Sequence, residues 1–247
     1  RIQTLVEGIS NYIPEADVDL AKEAALLAKS DLTTGVVEEF PELQGIMGGH
    51  YAISEGAQPE VALAISEHYC PLGPDDSCPS ALISITLALA DKIDTLTGFW
   101  MIDEKPTGSR DPYALRRSAL GVIRLIIENN IRLELIPIFR QALSNFTPRI
   151  PQEHISVLEN DLMEFFAERL KVHLRGRGVR HDLINAVFTL GNEDDLVRLL
   201  SKVEALDAFL HTEDGVNLLT AFRRASNILR IEENRNGVTY NQNYELE

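Results

Sequence analysis

The chain has 247 residues, 45% hydrophobic and 25% charged, globular proportions that allow one large domain or two modest ones with a sizeable core. Its 38 acidic residues against 23 basic ones leave a formal net charge of −15, which excludes a protein that coats nucleic acid unselectively, because polyanions are repelled at long range. Two cysteines, Cys70 and Cys78, are too few for the staple set of a small secreted domain, so a reducing cytosol, and a cytoplasmic protein, is the expectation.

Helical periodicity runs from end to end and alternating strand-like runs are nearly absent, so the expected fold class is all-α. The sequence opens at Arg1 without a methionine or a signal-peptide pattern, as expected of a piece cut from something longer. Asp17 is placed to cap a helix whose Leu20, Ala24 and Leu27 share one face, and Asp31 continues that stripe, an odd place for a carboxylate. A loop region rich in Gly and Pro follows from Phe40 to His50. Its Gly45, Gly48 and Gly49 lack the Lys-Ser/Thr of a phosphate loop and are expected to close helices. A helix is expected from Pro59 to Tyr69, then a turn-rich link over residues 70–79, then a helix apolar nearly all round, which belongs in a core. That apolar run, Ala81 to Ala90, stops at Asp91, short of a membrane span. After the turn at Pro106–Asp111, Asp111 can cap and Pro112 suits the first position of a helix whose Leu115, Ala119, Val122 and Ile126 form the buried stripe. Pro148 and Pro151 mark a joint, beyond which amphipathic helices are expected over 152–174, 181–190, 194–210 and 214–231. The organisation read from this pattern is a helical domain over 1–147, a helical bundle or linker domain over 148–235, and a polar tail over 236–247.

Three groups of residues can carry chemistry. Asp91 and Asp94 project from one side of the apolar helix, on a line with Ser84 and Leu87, and buried carboxylates need a metal ion, an arginine or a helix N-terminus as partner. A structural ion pair with Lys92 or a nearby arginine is the plainer alternative. His68, Cys70 and Cys78 are zinc-compatible ligand types, but they form no compact pair and lack a fourth ligand. His50 is expected to be a hydrogen-bonded loop residue. The third group is basic. Arg116, Arg117 and Arg124 fall within about 100° of one another on the helix after Asp111, in an arc that also holds Tyr113, away from the buried stripe. Lys105 and Arg110 lie in the turn before it, beside Thr107, Gly108 and Ser109. Such a cluster is either a solvated face paired with the abundant acids or a docking surface for an anion, because guanidinium forks match phosphate geometry and a tyrosine offers a stacking face. Lys171, Arg175, Arg177 and Arg180 around the Gly176–Gly178 turn can extend that surface. No nucleophile triad, dinucleotide fingerprint or HExxH pattern is present.

At residues 39–48 (EFPELQGIMG), 67–69 (EHY), 90–99 (ADKIDTLTGF) and 106–117 (PTGSRDPYALRR), and again at 178–187 and 223–229, the sequence resembles the beta subunit family of bacterial glycyl-tRNA synthetase. The resemblance implies a tetramer of two alpha and two beta subunits, in which the alpha subunit holds the glycine and ATP site with its magnesium and the beta subunit helps bind tRNA. The stretch present resembles the middle of that longer subunit. The first half is also similar to an HD domain, the helical fold of metal-dependent phosphohydrolases, with Ala28 and Lys29 standing where two metal ligands belong and His68 and Asp91 resembling others. An ammonium in place of a carboxylate opposes cation binding by charge alone, so the expectation is a degenerate HD-like domain with no catalytic residue and no metal. The implied tRNA-binding set is Lys105, Arg110, Tyr113, Arg116, Arg117 and Arg124. The alternatives are a metal-dependent phosphohydrolase using Asp31, His68, Asp91 and Asp94, or a helical scaffold.

Overall fold

The computed structural model describes residues 1–146, 151–189, 191 and 193–237. The helices are α1 (Ile2–Ser10), α2 (Val18–Leu27), α3 (Gly35–Glu39), α4 (Ile46–Ser54), α5 (Pro59–Glu67), α6 (Leu82–Met101), α7 (Leu115–Glu128), α8 (Leu135–Ser144), α9 (Gln152–Gly176), α10 (His181–Thr189), α11 (Leu196–Leu210) and α12 (Glu213–Asn236), with single 3-10 turns at Ser30–Thr33 and Pro41–Leu43. No β-strand occurs among the described residues, and the chain is all-α. Nor is any helix among them long and apolar enough to cross a membrane. Pro148, half of the expected joint, Leu190, and the tail from 238 onward lie outside the described residues.

The chain divides into two compact units, Arg1–Leu200 and Ser201–Glu247. In the first, α6 is the axis. Its lack of a polar face has the expected consequence: α1, α2, α5, α7, α8 and α9 pack around it, and Leu87, Leu89, Ile93 and Leu96 are fully buried. Each such side chain contributes about 1.5–3 kcal/mol through burial, so truncating one, as in Leu89→Ala, would cost about 2–5 kcal/mol. Helix α7 lays Leu115, Ala119, Val122 and Ile126 against this core as its spacing requires. Helices α8 and α9 are joined through a tilted Phe139–Phe166 ring pair and by Arg140, which grips Glu159 with two guanidinium nitrogens.

Three local expectations are corrected. The buried face of α2 is Ala21, Ala24, Ala25 and, just past its end, Ala28, while Leu20 and Leu27 are only half-buried. Small side chains let α2 sit close to α1, α5 and α6. Gly48 and Gly49 do not end a helix but lie inside α4, where it crosses α5. A Cβ on Gly48 would come within 2.8 Å of Ile65 Cγ2, and one on Gly49 within 2.7 Å of the Ala62 carbonyl. Only Gly45, at φ +79°, is used for its backbone freedom, at the entry to α4. His50 is accordingly an exposed helical residue rather than a loop residue. Finally, α7 starts at Leu115, with Ala114 left-handed at φ +54° before it, so Pro112 belongs to the preceding turn.

In the second unit α12 is capped by the Thr212 hydroxyl, which accepts from the Gly215 amide. Its Val216, Leu218, Phe222, Ile228 and Ile231 are exposed.

Candidate nucleic-acid interface

Between His68 and Asp91, where the phosphohydrolase alternative needs a metal ion, stands a protein cation. Three segments distant in sequence meet there: Lys29 just after α2, His68 at the end of α5, and Asp91 in the middle of α6. The Lys29 ammonium lies 2.8 Å from His68 Nε2, 2.9 Å from Asp91 Oδ1, and 3.9 Å from the centre of the Tyr69 ring. His68 is fully buried, and its Nδ1 is 2.6 Å from the Ile65 carbonyl. A carbonyl only accepts, so Nδ1 carries the hydrogen and Nε2 offers its lone pair to the ammonium. Burial, and next the charge of Lys29, hold the imidazole pKa down at about 4 against an ordinary 6.5. It is a neutral ligand to an ammonium. Both ring nitrogens are engaged, which leaves none to turn toward the free thiols of Cys70 and Cys78.

The neighbouring acids are consumed in the same way. Arg1 holds both oxygens of Asp94 through Nε and Nη2 at 2.9 and 3.0 Å, so Asp91 and Asp94 are structural ion pairs, made with Lys29 and Arg1. Lys92, the partner first suggested by sequence, instead donates to the Tyr69 carbonyl. Asp31 is 1% exposed, and its Oδ2 accepts from the amides of Gly45 and Gly48. That buried carboxylate therefore caps the N-terminus of α4, where the helix dipole favours negative charge. Among the described residues no group of three or more His, Cys, Asp or Glu is arranged to hold a metal ion.

The basic group divides under the same scrutiny. Arg124 is the clearest correction: it is 7% exposed, paired with Glu128 at 2.7 Å, and donates to the carbonyls of Gly73 and Asp76. It pins the 70–79 link onto α7 and is no part of an open surface. Lys105 is caught between Asp103 and Asp161, at 3.3 and 2.6 Å, and Asp161 also accepts from the Trp100 indole. Arg116 donates through Nη2 to the Gly108 carbonyl, bracing the turn closed by the reciprocal Thr107–Arg110 backbone bonds. What stays open is Arg110, Tyr113 and Arg117. All three are exposed, and neither guanidinium has an ion-pair partner among the described residues.

The N-terminus of α7 offers these groups no help with an anion. Asp111 reaches forward so that Oδ1 accepts from Leu115 N at 2.8 Å and Oδ2 from Arg116 N at 3.1 Å. Two of the amides that would bind a phosphate are already filled by a carboxylate, whose own charge opposes a second anion, so an anion at this corner falls chiefly to side chains. Tyr113 is also held in a way the sequence did not disclose. Its ring stacks on Phe99, near the end of α6, with centroids 4.2 Å apart and planes at 27°. The available signal was an aromatic residue at each end of the α6–α7 connection. In the second basic group, Lys171 pairs with Glu168 and Arg180 with Asp182, while Arg175 and Arg177 are exposed at the end of α9.

The family described as "Glycyl-tRNA synthetase beta subunit" matches residues 1–189. The chain is 58% identical over 242 residues to the glycine–tRNA ligase beta subunit of Rhodospirillum centenum, 53% over 240 to that of Paracoccus denitrificans, and 51% over 240 to that of Cereibacter sphaeroides. Each alignment covers 97% of this chain but only 33–34% of the relative, so the chain spans about a third of the length of the curated relatives it matches. With more than half of its residues matched by the family and three relatives above 50% identity, the chain belongs to the glycyl-tRNA synthetase beta subunit family.

Proposed function

We propose that this chain is a non-catalytic, tRNA-binding and assembly portion of a glycyl-tRNA synthetase beta subunit. It would support ATP-dependent glycylation carried out with an alpha subunit that holds the ATP and magnesium, within a tetramer of two alpha and two beta subunits. One observation supports the tRNA role above the others. In a chain of formal net charge −15, Arg110 and Arg117, which flank an exposed tyrosine in the sequence, are exposed and without an ion-pair partner among the described residues, although acids to neutralise them are plentiful. Guanidinium groups held this way suit phosphate oxygens, and contacts of this kind fix register and orientation on an RNA rather than read its sequence. The binding set carried forward is Arg110, Tyr113 and Arg117, with Arg116 contributing whichever donors the Gly108 carbonyl does not use.

The hydrolase alternative is weakened by the ammonium of Lys29. A divalent cation between His68 and Asp91 would have to displace it, and the first half of the chain is then a degenerate HD-like domain kept for its shape. The test is tRNA binding measured against salt for the wild type and for Arg110→Ala with Arg117→Ala. Two lost phosphate contacts should weaken binding by at least about tenfold and reduce the slope of log K against log[salt] by about 1–2, with helicity unchanged. Equal binding by the double variant would leave the chain a scaffold. Manganese-dependent nucleotide hydrolysis abolished by Asp91→Ala would make it an enzyme.

A further inference from the structure

Tyr113 is 47% exposed although one face of its ring is covered by Phe99, so its other face is turned to water. Phe99 backs one face of the ring, and Asp111, two residues earlier, is tied to the first amides of α7. Its hydroxyl makes no hydrogen bond among the described residues, so no polar contact explains its exposure. Arg110 precedes it by three residues and Arg117 follows by four, both exposed and neither with an ion-pair partner among the described residues. A ring face backed by Phe99 is thus flanked, along the sequence, by two exposed cations.

We infer that the Phe99–Tyr113 pair is a stacking platform for one unpaired nucleotide of RNA, its base on the outer face of Tyr113 and its flanking phosphates on Arg110 and Arg117. A nucleotide is the ligand that joins a planar π-system to negative charge on both sides, as this corner requires. The base must be unpaired, since within an A-form duplex the base faces are stacked on one another and only backbone and groove edges are presented. An aromatic side chain already held in plane pays little entropy to stack, and such stacking tolerates any base. The inference rests on the docking role proposed above and refines it: the arginines hold backbone, while Tyr113 requires an end, a loop or a bulge.

The experiment uses the 247-residue chain and two RNA hairpins of the same stem, one blunt and one carrying a four-nucleotide single-stranded 3′ overhang. The wild type should prefer the overhang hairpin, by about 5- to 150-fold for one stacked base. Tyr113→Leu should abolish that preference, and Tyr113→Phe should keep it, because the hydroxyl is not used. Circular dichroism would verify that helicity is preserved, as expected for a side chain in an exposed turn. If the blunt hairpin binds through Arg110 and Arg117 but the overhang adds nothing, or adds as much in Tyr113→Leu, the platform is refuted and the docking surface stands. If neither hairpin binds, both are refuted.

Discussion

Replacing Lys29 by methionine keeps the length of the side chain and removes its charge from among His68, Asp91 and Tyr69. In the wild type the ammonium contacts His68 Nε2 and Asp91 Oδ1 within 3 Å and lies over the Tyr69 ring. Removing one member of a buried pair typically costs 3–5 kcal/mol. Here the Lys29 side chain is 34% exposed and water can reach the gap, so about 2–3 kcal/mol is expected at pH 8. That loss should shrink on acidification. His68 is held at a pKa of about 4 by burial and then by Lys29, against an ordinary 6.5, while Asp91 pulls it upward. In the wild type the unfolded chain therefore binds a proton that the folded chain refuses between pH 6.5 and 4, and stability falls by about 3 kcal/mol as pH drops through that window. Without the ammonium, repulsion gives way to attraction by Asp91, the imidazole pKa rises, and an imidazolium can replace the missing cation. Urea unfolding of both proteins at pH 8, 7, 6 and 5, with the His68 ring proton followed by NMR, measures this directly. A stability difference that stays constant or widens below pH 7, or an imidazole still titrating near 4 in Lys29→Met, would refute the reasoning.

Gly49→Ala should lower stability by about 2–3 kcal/mol, because the new methyl collides with Ser66 Oγ and the Ala62 carbonyl. Adding Ser66→Ala should recover only part of this in thermal unfolding, since the carbonyl belongs to the α5 backbone and cannot move aside. Arg124→Met should cost about 2–4 kcal/mol and make residues 70–79 susceptible to limited proteolysis, because two carbonyls and Glu128 lose their donor. Arg117→Met, on the same helix, should change stability by less than about 0.5 kcal/mol. Burial first, with the charge of Glu128 adding to it and that of Arg124 pulling the other way, pushes the Cys78 thiol up to about 12. It should resist iodoacetamide at pH 8 in the native protein and react once urea unfolds it.

The positions of Arg117 and Arg124 show what the sequence could and could not disclose. Seven residues apart on a helix, they differ in direction by only about 20°, and periodicity rightly turned both away from the stripe of Leu115, Ala119, Val122 and Ile126. Direction says nothing of cover. The 70–79 link lays its Gly73 and Asp76 carbonyls on Arg124 and leaves Arg117 in water, a meeting of residues about 50 apart that no helical wheel contains. The same limit explains α2. Its apolar residues ring most of the helix, so alanines and leucines compete for the core, and the close approach of α1, α5 and α6 decides for the alanines. Where one segment supplies all the needed information, the reading held: α6, apolar nearly all round, went to the centre, and the Asp17 carboxylate accepts from the amides of Asp19 and Leu20 at the start of α2. The cluster at Lys29 lay between these cases. A resemblance to an HD domain set the expectation of ligand positions at Ala28 and Lys29, but that the Lys29 ammonium itself bridges His68 and Asp91 depends on three distant segments converging.

An acidic body with a small basic corner also makes a particular salt dependence unavoidable if that corner docks RNA. The 38 acids and 23 bases act on a polyanion collectively, over a range set by the Debye length, about 30 Å at 0.01 M salt and about 8 Å at 0.15 M. At the lower salt the RNA meets the whole negative charge before it meets Arg110 and Arg117, whereas at the higher salt distant acids are screened and the contact pairs, only a few ångströms apart, are not. Adding salt should therefore first speed association and then, as counterion competition for the phosphates takes over, weaken the complex. The association rate for the overhang hairpin, measured by stopped flow from 10 to 500 mM KCl, should pass through a maximum, and Asp103→Asn with Glu104→Gln should move that maximum to lower salt. A steep, monotonic fall from the lowest salt would mean that the RNA is held by a basic surface far larger than this corner.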